Sequence, residues 1–140
     1  ALAACRDMKL VCRRLQVLDD LGLGYLTLGE ATPSLSGGEA QRLKLAGEMD
    51  RAQQDSVFVF DEPTIGLHPL DVKTLVNVFQ TLIGQGATII VIEHDLDVIR
   101  SADYVIDMGP GGGEEGGTIV AAGTPEDIKN SPASKTGKFL

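Results

Sequence analysis

The sequence is short of several things at once. Aromatic residues make up 4% of it and tryptophan is absent, so its 43% apolar content is largely aliphatic. Positive charge is scarce: 12 Lys and Arg stand against 20 Asp and Glu, a net charge of −8. Phosphate contacts need clustered Lys and Arg, which disfavours a free-standing nucleic-acid binder but not a role inside a larger DNA-binding protein. Two cysteines, Cys5 and Cys12, are too few and wrongly spaced for a zinc module or a disulfide framework. Free thiols in a reducing cytoplasm are the expectation. No apolar run approaches the ~20 residues of a membrane span, so no membrane partner is expected. The opening "ALAACRDMKLVCRR" lacks the basic, apolar and cleavage regions of a signal peptide. It starts on Ala1 rather than Met, which suggests a piece of something longer. What is present, in 140 residues with 17 glycines, suits one globular domain with a modest core.

Hydrophobic spacing lays out the elements. Met8, Val11, Leu15 and Leu18 recur at helical intervals, with Gly22 as a stop. "LTLGEATPS" reads as a loop holding Gly29 and Pro33. Ser36, with Glu39 three residues on, forms a capping box for a helix whose apolar face is expected at Ala40, Leu43, Ala46 and Met49. "QQDS" reads as a polar linker and "VFVFD" as a buried strand. Leu70 to Gln85 is the clearest helix, with Val72, Leu75, Val76, Phe79, Leu82 and Ile83 in one stripe and Gly84 and Gly86 beyond it. Ala87 to Ile92 is a second continuous apolar strand. A short helix over Leu96 to Ser101 leads to a strand in "DYVIDM". A glycine-rich turn and a fourth strand, "TIVAAG", follow. Thr124 caps a last short helix, with Pro125 at its first position. The tail is expected to be loose at first and to dock at Phe139 and Leu140. Strand–helix–strand–helix–strand is the order of a parallel α/β sheet, whose sites lie at the carboxyl ends of the strands.

Both long apolar strands end on polar groups, Asp61-Glu62 and Glu93-His94. Adjacent carboxylates point different ways, so one can hold a divalent ion while the other orients or deprotonates water. That division suits phosphoryl transfer. An acidic strand end that merely faces solvent fits "VFVFDE" equally well. A lone histidine is more often structural, but the place of His94 beside the acidic pair favours a phosphate contact. Ser36, Gly37 and Gly38 open a helix with bare N–H groups, which makes an anion site as well as an ordinary cap. Gly111, Gly113 and Gly116 match G-x-G-x-x-G, but a strand follows instead of a helix, and Glu114 and Glu115 would repel a pyrophosphate. A flexible hairpin turn is the better reading. No stretch fits G-x-x-x-x-G-K-[ST], so the usual phosphate cradle with its lysine is missing.

"LSGGEAQR", "VFVFDEPTIGLHPLD" and "TIIVIEHD", in that order and spacing, resemble the ATP-binding cassette family. The resemblance implies an α/β fold, the parallel-sheet part of a P-loop NTPase domain without its Walker A segment. It makes Ser36, Gly37, Gly38 and Glu39 the signature motif, which contacts a nucleotide held by the opposite cassette. It makes Asp61 the Walker B residue on the magnesium side, Glu62 the catalytic carboxylate, His94 the switch histidine, and Gly66, Leu67 and His68 the D-loop region. ATP and Mg2+ are the implied cofactors, with no zinc site in this chain. The signature region would run to about residue 52, the Walker B and switch region from about 53 to 130, and the tail from 131 to 140. Transporter cassettes usually read S-x-L-D after the Walker B acids and glutamine after the signature glycines; "IGLHPLD" and Glu39 differ. "GLGYLTLGEATPSLSGGEAQRLKLA", "DEPTIGLH", "VIEHDLDVIRSADYVIDMGPGGGEEGG", "AAGTPEDI" and "TGKFL" resemble the UvrA family of bacterial excinuclease subunits. The lead-in and the terminal "TGKFL" favour the second of that family's two cassettes, while "TIGLHPLD" and "GPGGG" lean toward the first. The resemblance implies nucleotide excision repair: ATP-dependent recognition of damaged DNA by a dimer, and loading of UvrB. A non-enzymatic module of the same fold and a transporter cassette are the competing readings. The Walker A loop, the Q-loop, the zinc modules and the damage-contacting insertions are expected upstream of Ala1.

Overall fold

Local signals decide where most helices start and stop. The computed structural model describes residues 1–29, 31, 34–49, 54–113 and 116–140. Pro33, the Gln53 end of the polar linker, and Glu114 and Glu115 of the glycine turn lie outside the described residues. The chain divides into two compact units, Ala1–Glu93 and His94–Leu140.

In the first unit, helix α1 (Lys9–Asp20) ends where expected. The Leu21 N–H bonds back to the Val17 carbonyl and the Gly22 N–H to that of Asp19, and Gly22 takes φ +70°. That left-handed turn favours glycine. A Cβ on Gly22 would also stand 2.9 Å from Leu67 Cδ2. The turn drives Leu21 and Leu23 into the core. The stripe itself falls short of expectation: Met8 and Val11 are exposed, and only Leu15 and Leu18 are half-buried. Helix α2 (Gly37–Glu48) follows the capping box, but its buried face is Gly38, Arg42 and Leu45 rather than the expected one. Leu43 is exposed, while Ala46 and Met49 only edge the core. A buried, hydrogen-bonded arginine displaces the apolar stripe, which sequence periodicity cannot foresee.

Strand β1 (Val57–Asp61), helix α3 (Pro69–Gly84) and strand β2 (Thr88–Ile92) form a strand–helix–strand unit. The strands pair in parallel from Val57↔Thr88 to Asp61↔Ile92. Val72, Leu75, Val78, Phe79 and Leu82 of α3 are buried. Phe79 meets Phe60 of β1 with ring centroids 5.0 Å apart. The strands are not buried on both faces as expected. Phe58, Phe60, Ile89 and Val91 turn into the core, whereas Val57, Val59, Ile90 and Ile92 are 50–64% exposed. Full burial of a parallel pair needs a layer on each face, and the described residues of this unit supply one.

The second unit corrects the expectation of a third parallel strand. Strand β3 (Val105–Gly109) pairs antiparallel with β4 (Thr118–Gly123), with a register shift at Asp107/Met108. A short glycine-rich turn can join only antiparallel neighbours. Helix α4 (Leu96–Ser101) starts on Asp95, which accepts from the N–H groups of Asp97 and Val98. Helix α5 (Pro125–Lys129) starts on a Thr124–Asp127 capping box and buries Ile128. The tail docks at Phe139 through the backbone rather than the ring: the residue is 66% exposed, but its carbonyl accepts from Arg100 Nη2 at 2.6 Å. Buried Ser134 donates to Asp107 Oδ2 at 2.6 Å, and Thr136 donates to Oδ1 at 3.0 Å. Hydroxyl pairs to one carboxylate hold the tail, and a pattern of apolar residues does not report them.

Hydrogen bonds from the Thr124 side chain and backbone hold the Asp127 carboxyl below its ordinary range. A depressed folded value means that this contribution is complete above the ordinary carboxylate range and is lost as pH falls through the lowered one. Thr124→Ala should move the Asp127 titration upward toward the ordinary range, read by carboxyl NMR. An unmoved midpoint would mean that the cap does not hold the charge.

Candidate functional site

The start of α2 is built by short polar contacts. Ser36 Oγ accepts from the Glu39 N–H at 3.3 Å, and Glu39 Oε2 accepts from the Ser36 N–H at 2.6 Å. The Tyr25 hydroxyl donates to the other Glu39 oxygen. The expected capping box is present, and Glu39 is thereby committed to it. Gly37 is exposed with open space around it, and Gly38 is buried. A Cβ on Gly38 would stand 3.3 Å from Arg42 Nη1, 3.5 Å from the Ile65 carbonyl and 3.7 Å from the Glu62 carbonyl. The helix start is therefore packed against the loop that follows β1.

That loop leaves the sheet abruptly. Glu62 has φ +47°, a left-handed conformation. For a non-glycine residue it costs about 1–2 kcal/mol. Its N–H still bonds the Ile92 carbonyl at 2.9 Å, so the ladder ends there. Such strain persists where neighbours impose it, and it concentrates at functional sites. Three side chains impose it here. Gln41 donates from Nε2 to the Asp61 carbonyl at 2.8 Å and accepts from the Asp61 N–H at 3.0 Å, as a neighbouring strand would. Arg42 donates from Nη1 to the Pro63 carbonyl at 2.7 Å and to the Ile65 carbonyl at 3.4 Å. Glu93, at the end of β2, accepts from both the N–H and the hydroxyl of Thr64, at 2.9 and 2.5 Å.

Arg42 is the buried charge among the described residues of this unit, 1% exposed. Burial pushes its pKa down, and Glu39 and Asp71 partly offset this. A guanidinium remains charged under such a shift. Its Nε has no hydrogen-bond partner among the described residues.

The structure brings Ser36, Gly37, Gly38 and Glu39 together with Asp61 and Glu62 in one unit. Asp61 is exposed and Glu62 half-buried. Gly66 follows at φ +77° with nothing close to it. Leu67 packs against the core. His68 caps α3, its Nδ1 accepting from the Leu70 N–H at 3.3 Å. His94 is exposed and begins the second unit. An apolar groove of about 400 Å³ lies elsewhere, among Leu2, Leu15, Leu18, Leu23, Leu26 and Leu43, and includes none of these acids. Sequence reasoning missed Gln41, Arg42 and Thr64 as builders of the site, and it placed Glu93 at the strand end without its Thr64 partner. The only signal was their nearness in sequence to the motifs.

An exposed carboxylate beside a half-buried one, at the end of a parallel strand and against a glycine-opened helix start, is an arrangement that can serve an anionic substrate and its cation. The structural comparisons name the class. The chain aligns with an ATP-binding cassette of an ABC transporter at a TM-score of 0.54 and 26% identity, covering 87% of this chain and 46% of that one. The fold is the parallel-sheet part of an ATP-binding-cassette ATPase domain.

A narrower match fixes the family. The crystal structure of UvrA2 from Deinococcus radiodurans aligns at a TM-score of 0.88 and 44% identity, covering 99% of this chain and 17% of that one. UvrABC system protein A of Aquifex aeolicus is 55% identical over 129 residues, 91% of this chain. That of Mycobacterium bovis is 56% identical over 131 residues, 93% of this chain. No family model matches the chain. The chain belongs to the UvrA family and spans 14% of the length of these curated relatives.

Proposed function

We propose that this segment is the signature and Walker B part of a UvrA-type ATPase cassette, the second of two. In this reading the full-length protein couples ATP binding and hydrolysis to recognition of damaged DNA and loading of UvrB, as a dimer in the cytoplasm, during nucleotide excision repair. The relatives' family and the cassette fold support it. The observation that carries it is the left-handed Glu62, held beside the start of α2 by Gln41 and Arg42.

The roles follow from placement. ATP hydrolysis transfers the γ-phosphoryl group to water and releases ADP and phosphate, and it depends chiefly on positioning and charge neutralisation. Glu62, turned out of the strand, orients the attacking water and accepts its proton. His94 contacts a phosphate oxygen. Ser36, Gly37 and Gly38 offer N–H groups to a nucleotide held by the opposing cassette, and Gly66, Leu67 and His68 line the same interface. Asp61 is the residue that would hold Mg2+. Its backbone is fixed by Gln41 and its carboxylate is exposed, which fits a hard cation that keeps several waters and phosphate oxygens as its other ligands. Bound there, Mg2+ supplies charge neutralisation on the phosphates. The intact acids speak against a non-enzymatic module, and "IGLH" against a transporter cassette.

Asp61→Asn in the full-length protein should weaken Mg2+-dependent ATP binding by about tenfold or more, because it removes charge from the metal side. Nucleotide affinity with and without Mg2+ measures this. An unchanged affinity, with unchanged Mg2+ dependence, would sink the assignment of Asp61.

A further inference from the structure

Two motifs in this unit are joined by contacts that neither motif explains. The α2 start is one of the two, and the Asp61–Ile65 loop is the other. Consecutive residues of α2 reach across. Gln41 forms a two-point amide pair with the Asp61 backbone, at 2.8 and 3.0 Å, the geometry of a missing strand partner. Arg42 holds the Pro63 and Ile65 carbonyls that flank the turn out of Glu62. Gly38 closes the gap, since its α-carbon lies where a Cβ would touch both Arg42 and the Ile65 and Glu62 carbonyls.

For stability alone this is a poor arrangement. A buried guanidinium whose Nε finds no partner among the described residues is less favourable than a well-packed apolar side chain of similar size. Its fork offers what an apolar residue lacks, directional contact with two carbonyls at once. The Gln41 amide likewise fixes both the donor and the acceptor of Asp61, so the strand end cannot slip without α2 moving too. The α2 start and Gln41 lie on one helix, so a shift at that start has a direct route to the Asp61 backbone.

We propose that Gln41 and Arg42 are positioning residues that tie the helix start facing one nucleotide to the carboxylates serving another, so that engagement at the first site sets the geometry at the second. This rests on the functional reading above. Neither side chain touches substrate; both act through the backbone of Asp61 to Ile65. Gln41 is the better probe, because it is half-buried and its loss removes no core volume.

The test is ATP hydrolysis by the full-length protein carrying Gln41→Leu or Gln41→Met. Both keep the side-chain bulk and remove the amide pair. Each should lower kcat about ten- to a hundredfold, as misplacement of reacting groups does, while KM for ATP stays within about threefold. Arg42→Lys, which keeps the charge but loses the fork, should give the same split. The folded fraction of each variant is measured alongside. An unchanged kcat overturns the inference, and so does a fall that merely matches the unfolded fraction. Glu62→Gln serves as the reference. If it keeps hydrolysing ATP, the reading of the site itself fails. If it stops while Gln41→Leu does not, only the coupling fails.

Discussion

Glu62→Gln in the full-length protein leaves ATP binding within a few fold of wild type and lowers hydrolysis at this site by about a hundredfold or more. The amide keeps the size and hydrogen-bonding reach of the carboxylate but cannot accept a proton from water. The substitution also keeps two backbone bonds: the Glu62 N–H bonds Ile92 and its carbonyl accepts from Ile65. A second variant separates backbone from side chain. Glu62→Gly relieves a left-handed conformation worth about 1–2 kcal/mol but adds freedom to the unfolded chain worth up to about 1 kcal/mol. It should therefore fold as stably as wild type or slightly more so, with hydrolysis lost. Single-turnover hydrolysis, nucleotide affinity and a thermal unfolding midpoint report the three quantities. Turnover within tenfold of wild type for Glu62→Gln would remove this residue from the chemistry.

Gly38→Asp carries the other large effect, and the cause is partly steric. The new side chain would branch from a point 3.3 to 3.7 Å from Arg42 Nη1 and the Ile65 and Glu62 carbonyls. Its carboxylate would repel both carbonyls and draw the guanidinium off Pro63 and Ile65. Overpacking of this kind costs about 1–3 kcal/mol. It also sets a negative charge at the proposed anion site, where about a hundredfold loss of turnover is expected. Gly37→Ala is the contrast, because open space surrounds Gly37 and the fold should be unaffected. Measuring occupancy and turnover cassette by cassette locates the damage. If Gly38→Asp impaired only the nucleotide served by Asp61 of the same cassette, the cross-interface role of "LSGGE" would be wrong, and the helix start would be a cap alone.

What the sequence made legible was local. The α3 and α5 helices announce themselves through a stripe and a Thr124–Pro125 start, each contained within a few residues. The capping box at Ser36 and the stop at Gly22 belong to the same kind. Asp61, Glu62 and Gly38 could be named as candidates because motifs are local too. What escaped was built across distance. Gln41 reaches Asp61, Arg42 reaches Pro63, Thr64 reaches Glu93 and Ser134 reaches Asp107, each through a side chain whose identity carries no periodic signal. The buried Arg42 also misdirected the reading of α2, since a helix face read by apolar residues alone overlooks a guanidinium at its centre. The strands erred the other way, because a continuous apolar run looks equally buried whether one face is covered or two.

The half-covered sheet has a practical consequence for anyone handling this polypeptide apart from the rest of its protein. Val57, Val59, Ile90 and Ile92 present a flat aliphatic surface to solvent. Copies of the chain meeting there would stick, and what keeps them apart is mutual repulsion from a net charge of −8. That repulsion reaches about 30 Å at 0.01 M salt but only about 8 Å at physiological ionic strength. The isolated segment would thus be a colloid stabilised by dilute buffer. It would stay dispersed during low-salt purification and flocculate when returned to the ionic conditions of a living cell.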